Sequence, residues 1–316
     1  MGFLRASENR PARIEWPTVL LTLVIYGGWL ILTAYHALLP WPQLLAAGAW
    51  LIAWQGSLQH EVIHGHPTRN QRINDAIGFV PLSLWLPYVV YKRDHNAHHA
   101  TPHLTDPLDD NESSYLQRAG GMRHVLVAIE APLSGRMLFG PPIRIARFWR
   151  NELWRAARDP GGAARDWLPH LAGVALILAW LDHVGLSLWV YVLCFVWPGV
   201  ALSLVRSYAE HRASPNPAAR TAIVTDFGPL ALLFLNNNLH VWHHLRPKRA
   251  WYTLPALYRA APNAFPHAPR YKHYGVVFRR FFLRPHDQLV HPSPLPPPTL
   301  RSPSLHRTAG TVTPAA

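Results

Sequence analysis

The chain has a single cysteine in 316 residues, Cys194, and it lies inside an apolar run. One thiol in such a setting excludes a disulfide framework, a cysteine-ligated zinc site and an iron–sulfur cluster, so any electrons the protein uses must come from a partner. Charge is scarce too: Asp, Glu, Lys and Arg make up 15% of the residues, and acids are outnumbered 17 to 30. The net charge of +13 is carried almost wholly by arginine. From Trp16 to His60 there are 45 residues with none of these four types. A nucleic-acid-binding domain has no reason to place uncharged apolar runs between its arginine clusters, so the basic balance points to a membrane surface and not to nucleic acid. The amino terminus, MGFLRASENRPARIEWP, lacks an A-x-A-like cleavage pattern and reads as a retained cytoplasmic leader over residues 1–16. Its Gly2 and Ser7 do not fit the spacing of a myristoylation signal.

What is abundant is apolar surface and imidazole: 49% hydrophobic residues, 14 Trp and 20 His. A bilayer crossing takes roughly 20 apolar helical residues, so the uncharged run is long enough for two. Leu39-Pro40-Trp41-Pro42 divides it, because proline ends helices and tryptophan prefers the interface. The expected spans are 17–38 and 43–63, then a second pair at 167–183 and 186–206, parted near Asp182. The short connections at Pro40 and Asp182 carry no Lys or Arg, whereas the stretch from Pro67 to Asp166 is rich in arginine. The positive-inside rule makes that arginine-rich side cytoplasmic, with both termini on it. Within this stretch, Ala76 to Tyr91 is uncharged but broken by Pro81 and Pro87, and reads as an interfacial or partly buried segment. The expected fold is therefore all-α and integral to the membrane: four transmembrane helices in two hairpins, carrying a cytoplasmic helical cap. Residues 17–283 form one domain, and 284–316, rich in Pro, Ser and Thr, read as a disordered tail.

The histidines fall in patterns. His60 and His64 stand four apart in QHEVIHGH and share a helix face, so both can reach one ion. Read as H-E-x-x-H, this is a zinc-protease signature with Glu61 as general base; read as H-x-x-x-H, it is a ligand pair for another metal. His95-Asn96-Ala97-His98-His99 and His240-Val241-Trp242-His243-His244 both have the form H-x-x-H-H, and each is expected to offer three nitrogens to one centre. His211 follows the last expected span, level with the first pair. Nine such histidines are too many for one tetrahedral zinc and suit two adjacent metals of higher coordination. Lone residues such as His36, His124, His170, His183 and His273 receive no role. His66 and His103 are each open between a place at the site and none.

With HEVIH, HNAHH and HVWHH in that order and two apolar hairpins before the last, the chain from about Trp16 to Trp251 resembles the integral-membrane fatty acid desaturase family of histidine-box desaturases and hydroxylases. The resemblance implies a non-haem di-iron centre, dioxygen as oxidant and electrons from a ferredoxin or cytochrome b5 type donor. It also implies removal of hydrogen from a lipid acyl chain. By that likeness His60, His64, His95, His98, His99, His240, His243 and His244 are iron ligands, with His211 the ninth. Two features set the chain apart from the acyl-CoA branch. Its first box is one residue shorter, and Ser207 stands four before His211 where that branch has an Asn; Asn237 or Asn238 is the candidate replacement. No fused cytochrome b5 stretch is present.

Carboxylates that accept the outer N–H of a ligating imidazole would fix its tautomer, and Glu61, Asp94, Asp106 and Glu210 lie close enough in sequence, with Asn237 beside them. Asp106, in Thr105-Asp106-Pro107, reads equally as a turn cap. Trp85, Trp149 and Trp242 are candidates to line an acyl tunnel. A hydroxylase or ketolase acting on a lipid, alkane or carotenoid is the alternative on the same scaffold, and an intramembrane zinc protease resting on Glu61 is the rival from another class.

Overall fold

A computed structural model describes residues 14–293. The first thirteen residues of the expected leader, and 294–316 of the expected tail, lie outside the described residues. The chain is mostly helical: α1 (Trp16–Ala34), α2 (Trp41–Ile63), α3 (Gln71–Phe79), α4 (Tyr88–Ala100), α5 (Gly121–Glu130), α6 (Leu133–Leu138), α7 (Gly140–Arg158) and α8 (Pro160–His183) come first. Then follow α9 (Leu188–Tyr191), α10 (Trp197–Glu210), α11 (Pro229–Leu233), α12 (His240–Leu245), α13 (Leu254–Ala260) and α14 (Tyr274–Phe281). A π turn over Val192–Val196 joins α9 to α10 as one continuous helix. The two short strands, β1 (Ile223–Val224) and β2 (Arg270–Tyr271), pair in parallel.

By length and composition, Trp16–Ala34 and Leu188–Glu210 are apolar enough to cross a membrane. Leu20, Leu23, Ile31, Trp189 and Leu193 stand exposed on them, an outer surface that water would not favour. The other two expected spans are helices, but more polar ones. α2 buries Gln55, Ser57, Gln59, His60 and Glu61 in its second half, and α8 carries Arg165, Asp166 and Asp182.

Helix boundaries depart from expectation where local capping overrides the apolar pattern. α1 stops at Ala34 and a separate 3-10 turn covers His36–Leu38. α8 starts seven residues before the expected Trp167, because the Asp159 side chain accepts from Gly162 N at 2.9 Å and Pro160 takes the first helical position. The largest correction concerns the tail. Residues 284–293 are ordered against the domain: Leu116 N donates to Leu289 O and His291 N to Leu116 O, each at 2.9 Å. Asp287 accepts from Tyr115 Oη at 2.6 Å and pairs with Arg212. Composition missed this because the anchors are single polar side chains, not an apolar period.

α2 and the α9–α10 helix form the centre of the packing. They approach closely at two glycines: a Cβ on Gly48 would stand 2.7 Å from the Cys194 carbonyl oxygen, and one on Gly199 would stand 2.5 Å from Ile52 Cβ. The polar side chains inside the apolar helices serve the last turn of α3 and the irregular segment between α3 and α4. Gln55 and Gln59 donate to Val80 O and Gly78 O at 2.9 and 2.8 Å, and Tyr191 Oη donates to Leu82 O at 2.6 Å. A non-helical stretch can sit this deep only when its carbonyls are satisfied from within the protein.

Candidate metal centre

α2 carries His60 in its last turn and is capped by His64, α4 carries His95, His98 and His99, α12 carries His240, His243 and His244, and His211 directly follows α10. These imidazoles converge into two groups. His60, His64, His95, His99 and His243 make the first, and His98, His211, His240 and His244 the second; within each group the ring nitrogens lie within 4.8 Å of one another. The two groups abut, with the His99 and His244 rings stacked at 4.4 Å.

Each H-x-x-H-H motif divides itself between the groups, which corrects the expectation of three nitrogens to one centre. α4 gives His95 and His99 to the first group and His98 to the second; α12 gives His240 and His244 to the second and His243 to the first. Consecutive helical residues point about 100° apart, so the last two histidines of each motif diverge while its first and last share a face.

The closest nitrogen pairs are Nε2 to Nε2: His64–His95 at 3.0 Å, His99–His243 at 3.1 Å, His211–His240 at 2.9 Å and His240–His244 at 3.1 Å. Two nitrogens bonded to one ion at ~2.1 Å stand ~3.0 Å apart if the bonds meet at a right angle, and ~3.4 Å apart at the tetrahedral angle. The observed edges match the right angle. Five nitrogens in the first group also exceed a tetrahedral set. His60 Nε2 is buried with no hydrogen-bond partner in the protein, as a nitrogen aimed at an ion would be. The residues therefore fit two metal ions with all-nitrogen protein donors and no thiolate.

Burial holds most of these rings in the neutral form that a ligand needs. His99 is pushed down to about 3 and His211 to about 4, first by burial and then by neighbouring imidazoles. His243 and His244 lie well below the usual imidazole range for the same reasons. His98 is the exception, pushed up to about 9: burial opposes its charge, but the Glu112 and Asp110 carboxylates outweigh it.

The outer partners are only partly those expected. Asn237 Oδ1 lies 3.1 Å from His240 Nδ1, and Asn237 Nδ2 donates to Glu210 Oε1 at 2.8 Å, so both residues stand behind the second group. Asn238 instead holds β1 through Val224 O. Glu61 is 3.9 Å from His60 Nδ1, beyond hydrogen-bond reach, and accepts from Trp251 N at 3.2 Å. Asp94 pairs with Arg93 at 2.9 Å, and Asp106 accepts from Leu108 N and Asp109 N, the turn-capping role. Besides Glu210, 3.4 Å from His240 Nδ1, two carboxylates that were not expected face imidazoles. His98 Nδ1 meets Asp110 Oδ1 at 2.8 Å and His95 Nδ1 meets Glu112 Oε1 at 3.0 Å. His66 and His103 stand outside both groups, paired with Glu15 at 2.8 Å and Asp109 at 2.9 Å.

A cavity of about 390 Å³ reaches the second group at His98 and His211. Its wall includes Trp85, whereas Trp149 packs on Trp167 and Trp242 is buried against Phe265, so neither of those two serves as lining. A separate cleft of about 540 Å³ reaches the first group at His64 and His99.

The sequence matches the fatty acid desaturase family over residues 35–275, about three-quarters of the chain. The chain belongs to the fatty acid desaturase family. That family implies an oxidoreductase of the desaturase and hydroxylase type that uses iron and oxygen on a lipid substrate. The match takes in all nine converging histidines. No curated protein matches the chain. Together with the two apolar helices, the family points to a membrane protein.

Proposed function

We propose that this desaturase-family chain is a membrane-embedded, oxygen-dependent enzyme that introduces a double bond into a lipid acyl chain. In this reading the nine imidazoles hold two iron ions, His60, His64, His95, His99 and His243 around one and His98, His211, His240 and His244 around the other. The observation that carries it is the convergence of five and four ring nitrogens, each set within 4.8 Å, in two groups that abut. Bound iron would supply the oxidising power that takes hydrogen from an unactivated carbon. The chain's own part is to hold that site. Asp110 and Glu112 accept the Nδ1 protons of His98 and His95 and so fix which nitrogen faces inward, and Asn237 with Glu210 stands behind His240. Ile52, Val200 and Leu204 give the cavity an apolar wall for a hydrocarbon chain.

α1, α2, α8 and the continuous α9–α10 helix are the four proposed spans. The start of α1 and the end of α2 meet where Glu15 N donates to Pro67 O at 2.9 Å, which supports a hairpin with both ends on the histidine side. The arginine-rich middle supports a cytoplasmic location for that side. Electrons arrive from an external ferredoxin or cytochrome b5 type donor.

Metal analysis of the purified chain tests the reading: about two iron per chain are expected, lost on His98→Ala or His243→Ala. One zinc per chain surviving both changes would sink it. Glu61→Gln separates the protease rival, which requires that carboxylate as base; here iron is retained with at most weakened activity, since Glu61 is turned to Trp251 N. After aerobic turnover, a product two hydrogens lighter supports desaturation, and a product carrying labelled oxygen identifies a hydroxylase or ketolase instead.

A further inference from the structure

The second histidine group has tyrosines near it that the proposed chemistry does not use. Tyr115 and Tyr208 line the cavity that reaches His98 and His211, as do His286 and Asp287 of the ordered tail segment. Tyr271 is buried and joins this set through His286. The rings of Tyr208, Tyr271, Phe281 and His286 pack together, with neighbouring centroids between 4.8 and 6.2 Å apart.

Tyr271 Oη stands 2.8 Å from His286 Nε2, and His286 Nδ1 stands 3.2 Å from Asp287 Oδ2. An ionised carboxylate only accepts, so the hydrogen of the neutral imidazole is on Nδ1, and Nε2 accepts from the phenol. Burial holds His286 below the usual imidazole range, which keeps the Nε2 lone pair available. Arg212, the residue after His211, donates from Nη1 to the same phenol oxygen at 3.3 Å. One side chain thus links the Tyr271 oxygen to the backbone beside a histidine of the second group.

Anchoring the tail does not call for the phenol–imidazole bond. Arg212 already pairs with Asp287 and donates to the His286 carbonyl at 2.9 Å, and Tyr115 Oη donates to Asp287 at 2.6 Å. Tyr115 therefore also has a proton acceptor, but a weaker one. Burial pushes the Asp287 carboxyl up, yet His286 and Arg212 outweigh it and hold the group well below the usual carboxylate range. A phenol that loses an electron becomes a strong acid, so it yields that electron readily only where a competent base takes the proton. Imidazole is the better base of the two.

We propose that Tyr271 is a redox-active residue that gives an electron to the metal site when oxidising power forms there with no substrate in the cavity. The proposal rests on the oxygen-dependent reading and adds to it a reaction that protects the protein from its own oxidant. One electron leaves the phenol for the oxidised site, and the Oη proton crosses to His286 Nε2. The products are a neutral phenoxyl, an imidazolium facing Asp287, and a site reduced by one electron. The external one-electron donor then restores the phenol as the proton returns from His286.

Electron paramagnetic resonance on the full-length protein in detergent tests this in two arms. In the first, reduced iron-loaded protein is mixed with dioxygen in the absence of lipid and frozen. In the second, metal-stripped protein is illuminated with a ruthenium photo-oxidant and a sacrificial electron acceptor. A tyrosyl signal is expected in both arms. It should lose most of its intensity in Tyr271→Phe, which keeps the packed ring, and in His286→Gln, which lacks the base. Tyr208→Phe and Tyr115→Phe are expected to retain it. A signal undiminished by Tyr271→Phe, or one lost with Tyr115→Phe instead, would overturn the proposal. Where iron binds, the absence of a tyrosyl signal in the first arm also overturns it and leaves the desaturase reading standing. Where none binds, the second arm decides: a signal that depends on Tyr271 supports the redox-active tyrosine while the missing iron sinks the desaturase, and no such signal sinks both.

Discussion

Asp110 sits 5% exposed in the loop after α4 and accepts a hydrogen bond from His98 Nδ1 at 2.8 Å. Outer carboxylates of this kind typically raise metal affinity 10- to 100-fold, so Asp110→Asn is expected to lower iron retention against a chelator by about that factor. Asp94→Asn, which disturbs only a half-exposed pair with Arg93, is expected to leave it unchanged. A chelator titration of both variants checks the contrast. The two carboxylates also mark the limit of what sequence order reveals. Eight of the histidines that converge stand at helical spacing in three motifs, the pattern by which they were singled out, whereas His211 stands alone and was singled out by its place after the last expected span. Asp94 and Asp106 were expected at the site because they adjoin a histidine motif, yet the loop that folds back on α4 brings in Asp110 and Glu112 instead. One signal was available: Asp106, Asp109, Asp110 and Glu112 put four of the chain's 17 acids within seven residues.

Among the elements, the crossing of α2 with the α9–α10 helix is set by what its glycines lack. Gly48→Ala would press a methyl to 2.7 Å from the Cys194 carbonyl oxygen, a backbone atom that cannot swing aside. A loss of about 1–3 kcal/mol is expected, read as a lower denaturation midpoint in detergent. Gly27→Ala, with nothing within 4 Å, is the control and should be neutral or slightly stabilising through helix propensity. The helices themselves were legible wherever a long uncharged run dictated them. The early start of α8 and the order of residues 284–293 were not, because each depends on a few side-chain hydrogen bonds, Asp159 to Gly162 N in one case and Asp287 with Arg212 and Tyr115 in the other. The π turn at Val192–Val196 has no sequence signature that we recognise.

For the molecule as a whole, gathering so many neutral imidazoles ties stability to acidity. An unfolded histidine titrates near ~6.5, whereas His211 and His99 in the fold stay neutral down to about 4 and about 3. Between those values the unfolded chain binds protons that the folded chain refuses, so stability falls as pH drops. His98, raised to about 9, acts the other way: its contribution is fully present below the unfolded value and is lost as pH rises through about 9. Melting of metal-stripped protein should therefore shift to lower temperature from pH 7 to pH 5, and an unchanged or rising midpoint would contradict the neutral assignment. The division of α4 and α12 between the two groups has one more effect. Because His98 and His99 are joined by a peptide bond, as are His243 and His244, the spacing of the groups is written into covalent geometry at two points. Tilting either helix moves both, and fixing one group orders the frame of the other. The two groups are two faces of the same pair of helices, so a change that shifts α4 or α12 is expected to disturb both.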